Sequence, residues 1–287
     1  MLLETSRSLS QMGCRLFLFF CVALGIEGCH RKEAISNVGA IDWQALQEKR
    51  IFFGHQSVGE NILSGIGDLL AVTPGATLRI VKTRDPEVLK EPILAHADIG
   101  RNENPISKCD DFSALMRTGV GEKIDIAFFK FCFVDIQHLT DWEAVFSYYK
   151  QALEQMEREY PKTTFVHVTV PLTTVPSGPK VWIKRALGRL DGWHADNAVR
   201  ARYNERIRQE YAGRKPLFDL AQIESTLPDG SRCLFSYKGT SCECLAYPYT
   251  SDGGHLNETG RMIVARHFLY FLGSLSKSRQ TSDTSSP

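Results

Sequence analysis

The sequence has almost no charge of one sign to spare. Its 34 Lys and Arg stand against 33 Asp and Glu, a formal net charge of +1 over 287 residues. A chain devoted to nucleic acid carries a basic excess, so that class is excluded. No apolar run reaches the roughly 20 residues of a membrane-crossing helix. The longest, Leu16–Ile26 (LFLFFCVALGI), falls well short of that length. Eight cysteines are too sparse for a small fold built on disulfides. Neither an internal repeat nor a heptad pattern occurs, which excludes solenoids and coiled coils. What remains is globular composition, 43% apolar and 23% charged, which rules out a disordered or collagen-like chain.

The apolar run reads as a targeting segment. Arg7 and Arg15 precede it as a positive region, and its length suits a signal peptide. Met12 offers a second, more compact start. Ile26-Glu27-Gly28-Cys29 follows, with a small residue directly before a cysteine. This resembles a bacterial lipoprotein cleavage box, with Cys29 as the lipidated residue, although Glu27 is unusual there. The alternatives are simple secretion, with Ala23-x-Gly25 as the cleavage signal, and an uncleaved short anchor. All three send the chain out of the cytoplasm, to the cell envelope, periplasm or surface. The expected organisation is a leader over 1–29, one domain over 40–275 and a disordered Ser/Thr-rich tail over 276–287. Membrane contact is expected only through a lipid at Cys29.

The middle of the chain alternates strands and helices. Short apolar or alternating runs predict strands at 49–54, 77–82, 124–133, 164–170 and 216–220. Apolar residues at helical spacing predict helices: Val58, Ile62, Ile66, Leu69 and Leu70; Val145, Phe146, Tyr149, Leu153, Met156 and Tyr160; Val199, Tyr203, Ile207 and Tyr211; and Ile263, Val264, Phe268 and Phe271. Strands alternating with helices indicate a parallel sheet covered on both faces, a three-layer α/β/α sandwich. Two weakly patterned stretches, 84–122 and 221–254, read as long loops, which in a compact domain are usually functional or disordered.

Two constellations carry chemistry. In Gly54-His55-Gln56-Ser57-Val58-Gly59, Ser57 falls between the first strand and the following helix. Ligands of open α/β sheets bind at the carboxyl ends of the strands. A helix N-terminus there stabilises a developing oxyanion. The same serine is equally at home as a plain helix N-cap. In Asp252-Gly253-Gly254-His255, the carboxylate three positions earlier can fold back on the imidazole, as a general base requires. The rival readings are a fragment of a metal site or a surface loop. The other seven histidines are scattered without ligand spacing, so no metal and no cofactor are expected.

Together, an early serine and a late Asp-x-x-His ahead of the last helix resemble the SGNH/GDSL hydrolase family. The resemblance spans most of residues 49–273. It implies that family's flavodoxin-like parallel sheet and a catalytic Ser57, Asp252 and His255. Gly54-His55-Gln56-Ser57 stands where the family has Gly-Asp-Ser, one residue longer and without the acid. Gly100 is the counterpart of the family's oxyanion-hole glycine. Lys130-Phe131-Cys132-Phe133-Val134-Asp135 lacks the asparagine of the third block, which leaves Lys130 or Asn102 to donate instead. These departures mark an atypical branch.

The resemblance implies an exported esterase or deacetylase acting on a small-molecule or glycan ester, with nucleic acid excluded as a partner. A glycan O-acyltransferase on the same triad, or a non-catalytic glycan-binding protein on the same fold, are the other readings. Trp193 and Trp182 offer a sugar-stacking platform, with core or loop packing the more common role of such residues. Asp135 pairs with Lys130 or caps a turn. Asn61 reads as a helix-face residue and Cys132 as a buried thiol. Cys233 is expected to bridge to Cys242 or Cys244, with zinc binding the lesser alternative.

Overall fold

The computed structural model describes residues 38–178 and 192–283, with side chains described as far as residue 275. The leader, Cys29, Trp182 and the end of the tail lie outside the described residues. A short helix, α1 (Trp43–Gln47), leads into β1 (Arg50–His55), α2 (Val58–Val72) and β2 (Ile80–Lys82). Next come β3 (Ile93–Asp98), α3 (Pro105–Leu115), β4 (Ile126–Phe129), α4 (Trp142–Glu159) and β5 (Thr164–Val168). The chain continues through α5 (Gly192–Tyr211), β6 (Leu217–Phe218), α6 (Leu220–Glu224), the hairpin β7 (Leu234–Tyr237) and β8 (Thr240–Glu243), and α7 (Glu258–Asp283).

Six strands form one parallel sheet in the order β2-β3-β1-β4-β5-β6. Without the short edge strand β2 this is the flavodoxin-like order, whose switch point lies beside β1. Period-two alternation in β1 explains the layers. Ile51 and Phe53 face one core with Val58, Ile62 and Ile66 of α2 and Val264, Phe268 and Leu272 of α7. Phe52 faces the other core with Phe112 of α3, Val145, Tyr149 and Leu153 of α4, and Tyr203 and Ile207 of α5. Each such fully buried side chain contributes about 1.5–3 kcal/mol. No helix of the described residues is long and apolar enough to cross a membrane.

The stretch expected as a loop over 84–122 instead contains an interior strand and a helix. β3 pairs with both β1 and β2. Its sequence, Ile93-Leu94-Ala95-His96-Ala97-Asp98, has little strand preference, so burial between two neighbours makes the strand. α3 starts at Pro105, and the Asn104 side chain caps it by accepting the Ser107 N–H at 3.0 Å. The second expected loop, 221–254, likewise contains the antiparallel β7–β8 hairpin.

One irregular segment matters for the site. After β5, residues 170–175 contain Pro171 and add no strand to the sheet. Side chains of α5 replace the missing ladder. Asn204 accepts the Val170 N–H at 2.7 Å and donates to the Val170 carbonyl at 2.9 Å. Asn197 does the same at Thr173, at 3.1 and 2.5 Å. The anchored segment then holds the loop before α7, as Thr174 N–H donates to the Gly253 carbonyl at 2.8 Å.

Candidate active site

Only Gln56 and Ser57 separate the end of β1 from the start of α2, so the chain turns sharply at the switch point. Ser57 sits at φ 57°, ψ −111°. A residue with a β-carbon adopts such a conformation at a cost of about 1–3 kcal/mol, and such strain clusters at active sites. The side chain makes no cap hydrogen bond, so the plain N-cap reading does not hold. Ser57 Oγ lies instead 2.7 Å from His255 Nε2.

Asp252 and His255 come from the loop that closes onto α7. His255 Nδ1 is 2.7 Å from Asp252 Oδ2. The other carboxylate oxygen accepts the N–H of Gly254 at 2.9 Å and of His255 at 2.8 Å. Partial burial pushes the Asp252 carboxyl up. The two N–H groups and the imidazole outweigh it and hold the group well below the usual carboxylate range. An ionised Asp252 fixes the proton on Nδ1 and leaves Nε2 to accept from the Ser57 hydroxyl. Sequence and structure therefore bring the three expected residues together. Their surroundings are open, with the side chains of His255 and Asp252 47% and 57% exposed. A cleft of 590 Å³ between α4 and α5, lined by Trp142, Phe146 and Arg206, holds no residue of this trio.

Positioning residues surround the loop. Asn61 Oδ1 accepts the Leu256 N–H at 3.1 Å and ties the loop to α2. The Phe133 ring stands edge-on to His255 at 5.6 Å. It also packs so closely on Gly254 that a β-carbon there would lie 2.9 Å from it. The buried Arg200 fixes this turn by donating from Nε to the carbonyls of Phe133 at 2.8 Å and Ile136 at 3.1 Å. Asn61 lies four residues after Ser57, so helical spacing alone places both on one side of α2. Phe133 and Arg200 carry no comparable sequence signal.

The expected oxyanion donors fare differently. No acceptor among the described residues takes the Ser57 N–H. Gly100 does lie beside the Ser57 turn, since Gln56 Nε2 donates to the carbonyls of Ile99 and Gly100 at 2.9 and 2.8 Å. Its N–H, however, is held by Asp111 Oδ2 at 2.8 Å. Asn102 is exposed on the same loop, and its Oδ1 accepts from Lys108 Nζ at 2.9 Å. That contact assigns the amide and leaves Nδ2 as its donor. Lys130 is 1% exposed and donates to the Phe131 carbonyl at 3.3 Å, so it lies beneath the site rather than at its mouth. Burial lowers its pKa.

Asp135 pairs with Lys108, not Lys130. The ammonium lies 2.5 Å from Oδ2, and both side chains are fully buried. Asp135 also accepts the N–H of Cys132 at 2.6 Å and of Glu103 at 2.9 Å. This pair therefore locks the loop after β3 to the turn after β4. The expected disulfide is absent: Cys233, Cys242 and Cys244 are free thiols. Cys233 and Cys244 face each other across the start of the hairpin, bonded through the backbone at 3.0 Å. Burial, and then the Cys233 thiol, pushes Cys244 up to about 12.

No protein-family model matches the chain. No curated protein sequence matches it either. Solved structures do. A family 3 carbohydrate esterase from Clostridium thermocellum is 14% identical, over 80% of this chain and 98% of that one, with a TM-score of 0.43. An acetyl xylan esterase is 17% identical, over 76% and 96%, with a TM-score of 0.42. An acetyl esterase solved as its S10A mutant with acetate is 13% identical, over 80% and 98%, also at 0.42. At this level of likeness, function has to be read from this chain's own residues.

Proposed function

We propose that this protein is an ester hydrolase in which Ser57 is the nucleophile, His255 the general base and Asp252 the group that orients it. The observation that carries the reading is the continuous contact from Ser57 Oγ through both imidazole nitrogens to Asp252, each link 2.7 Å, built on a strained serine. Ser57 Oγ attacks the ester carbonyl carbon while its proton passes to His255 Nε2. The Ser57 N–H and the Asn102 carboxamide are the donors for the oxyanion. The tetrahedral intermediate expels the alcohol, which takes the proton from His255. Water, deprotonated by the same nitrogen, then attacks the acyl-serine and releases the acid. The openness of the trio to solvent favours water over a sugar hydroxyl as the second nucleophile, hence hydrolysis over acyl transfer.

A glycan ester is the substrate class we favour. Trp193 is 45% exposed. Its ring lies 3.8 Å from where a β-carbon on Gly253 would stand, on the loop that carries Asp252 and His255. An aromatic side chain against the loop that carries Asp252 and His255 suits a sugar ring. The proposed location is the cell envelope, with Cys29 as the lipid anchor, and it rests on the leader alone.

The test is labelling of the purified protein with a fluorophosphonate probe, read by intact and peptide mass. A single adduct on Ser57, absent from Ser57→Ala, supports an activated serine. A folded protein that takes no adduct overturns the hydrolase reading in favour of a glycan-binding protein.

A further inference from the structure

A second cluster of chemically competent side chains lies where β1 and β3 end against α2. Among the described residues it is the one place where three or more His, Cys, Asp or Glu side chains converge. The ligand atoms of His55, Glu60 and His96 all lie within 4.8 Å of one another. His55 closes β1, and its Nε2 faces His96 Nδ1 of the neighbouring strand at 3.0 Å. Their rings stack with centroids 5.1 Å apart. Both residues are buried, at 0% and 8% exposure.

The first turn of α2 clamps this arrangement. A β-carbon on Gly59 would stand 2.4–2.6 Å from Cβ, Cγ and Nδ1 of His55, so only glycine lets the helix press on the ring. The next residue, Glu60, brings its carboxylate to the open side. His55 Nδ1 is buried without a partner, so the pair is oriented through its facing nitrogens alone. Two cations act on the cluster: the buried Lys130 near His55, and the exposed Lys82, whose ammonium lies 2.7 Å from Asp98 and 3.5 Å from Glu60. Its side chain is 54% exposed and free to swing into solvent.

We infer that His55, His96 and Glu60 form a site for one divalent transition-metal ion of the zinc class, with the Lys82 ammonium as its built-in competitor. Two imidazole nitrogens and one carboxylate suit zinc and its neighbours in the transition series. Calcium and magnesium demand oxygen donors. The fourth position belongs to water or to Asp98 once Lys82 has left it. The ion joins the end of β1 to the first turn of α2, the two elements that flank Ser57. Its ligands include none of Ser57, Asp252 and His255.

Zinc is titrated into the chelator-treated full chain in competition with a chromophoric chelator. Cobalt(II) is added in parallel and read by its visible absorption. The expected result is one equivalent bound by the unmodified protein. His96→Ala and Glu60→Gln each weaken it at least about 10–100-fold. Lys82→Met tightens it, and His255→Ala leaves it unchanged. Lack of stoichiometric binding overturns the proposal. So does His96→Ala binding as tightly as the unmodified chain, and so does loss of the ion in His255→Ala, which would put the metal on the triad.

Discussion

Ser57 joins a hydroxyl held against His255 to a strained backbone, and two substitutions separate them. Ser57→Ala and Ser57→Gly both delete the hydroxyl and its 2.7 Å contact with His255. They differ in the backbone at φ 57°, ψ −111°. Alanine keeps the β-carbon and the strain of about 1–3 kcal/mol, and glycine releases it. Against this, glycine loosens the unfolded chain by about 0.4–1 kcal/mol. The balance leaves Ser57→Gly more stable than Ser57→Ala by about 0.5–2 kcal/mol. For a chain of this size that is about 1–8 °C in Tm. At a relaxed helix interior the order reverses. Urea unfolding followed by circular dichroism, with a shared m-value, measures the difference. A Ser57→Ala protein as stable as Ser57→Gly, or more so, refutes stored strain at Ser57.

Asp252→Asn leaves the fold intact but removes the charge that fixes the His255 tautomer, so kcat on an ester substrate falls by about 10⁴-fold with little change in Tm; a loss below tenfold shows that Asp252 does not orient the base. Asn61→Ala leaves the Leu256 N–H without its acceptor and costs about 1–3 kcal/mol, with kcat reduced more than KM is raised. Asn61→Asp, which keeps an acceptor oxygen, restores most of the rate if Asn61 acts through the loop. Glu224 is buried, and desolvation raises its carboxyl from 4.5 to about 8. The folded state thus holds this proton more tightly than the unfolded one, so the group's stabilisation is complete below about pH 4.5 and is lost as pH rises to about 8. Glu224→Gln never ionises, so chemical denaturation shows its stability relative to the parent rising across that window, by up to about 5 kcal/mol. A parallel pair of stability–pH curves contradicts that assignment.

The parts legible in the sequence share a physical origin. β1, α2, α4 and α7 announce themselves because their buried faces are filled by large apolar residues at one period. The Asp252–His255 unit is legible because its geometry is local, three residues and one loop. β3 is not, since alanine and histidine take strand form only when two neighbours bury them. Asp135 caps a turn, one of the two roles read from the sequence, by accepting the Cys132 N–H, but its ion-pair partner lies farther off in the chain. Sequence proximity suggested Lys130 with Asp135, whereas Lys108, on a helix not foreseen, reaches Asp135 across the fold. The spent N–H of Gly100 is likewise a tertiary fact, set by Asp111. Long-range polar partners leave no periodic trace, and that is where sequence reasoning stopped.

Ser57 and His255 are 198 positions apart in the chain, and their meeting requires α7 to lie along α2 in the shared core. During synthesis from the N-terminus, β1 and the serine turn emerge early, whereas the histidine loop is among the last parts made. A nascent or truncated chain therefore presents Ser57 without its His255 partner. The Ser57–His255 contact arrives in one late step, when the closing helix docks, and a chain that stalls short of that step lacks it.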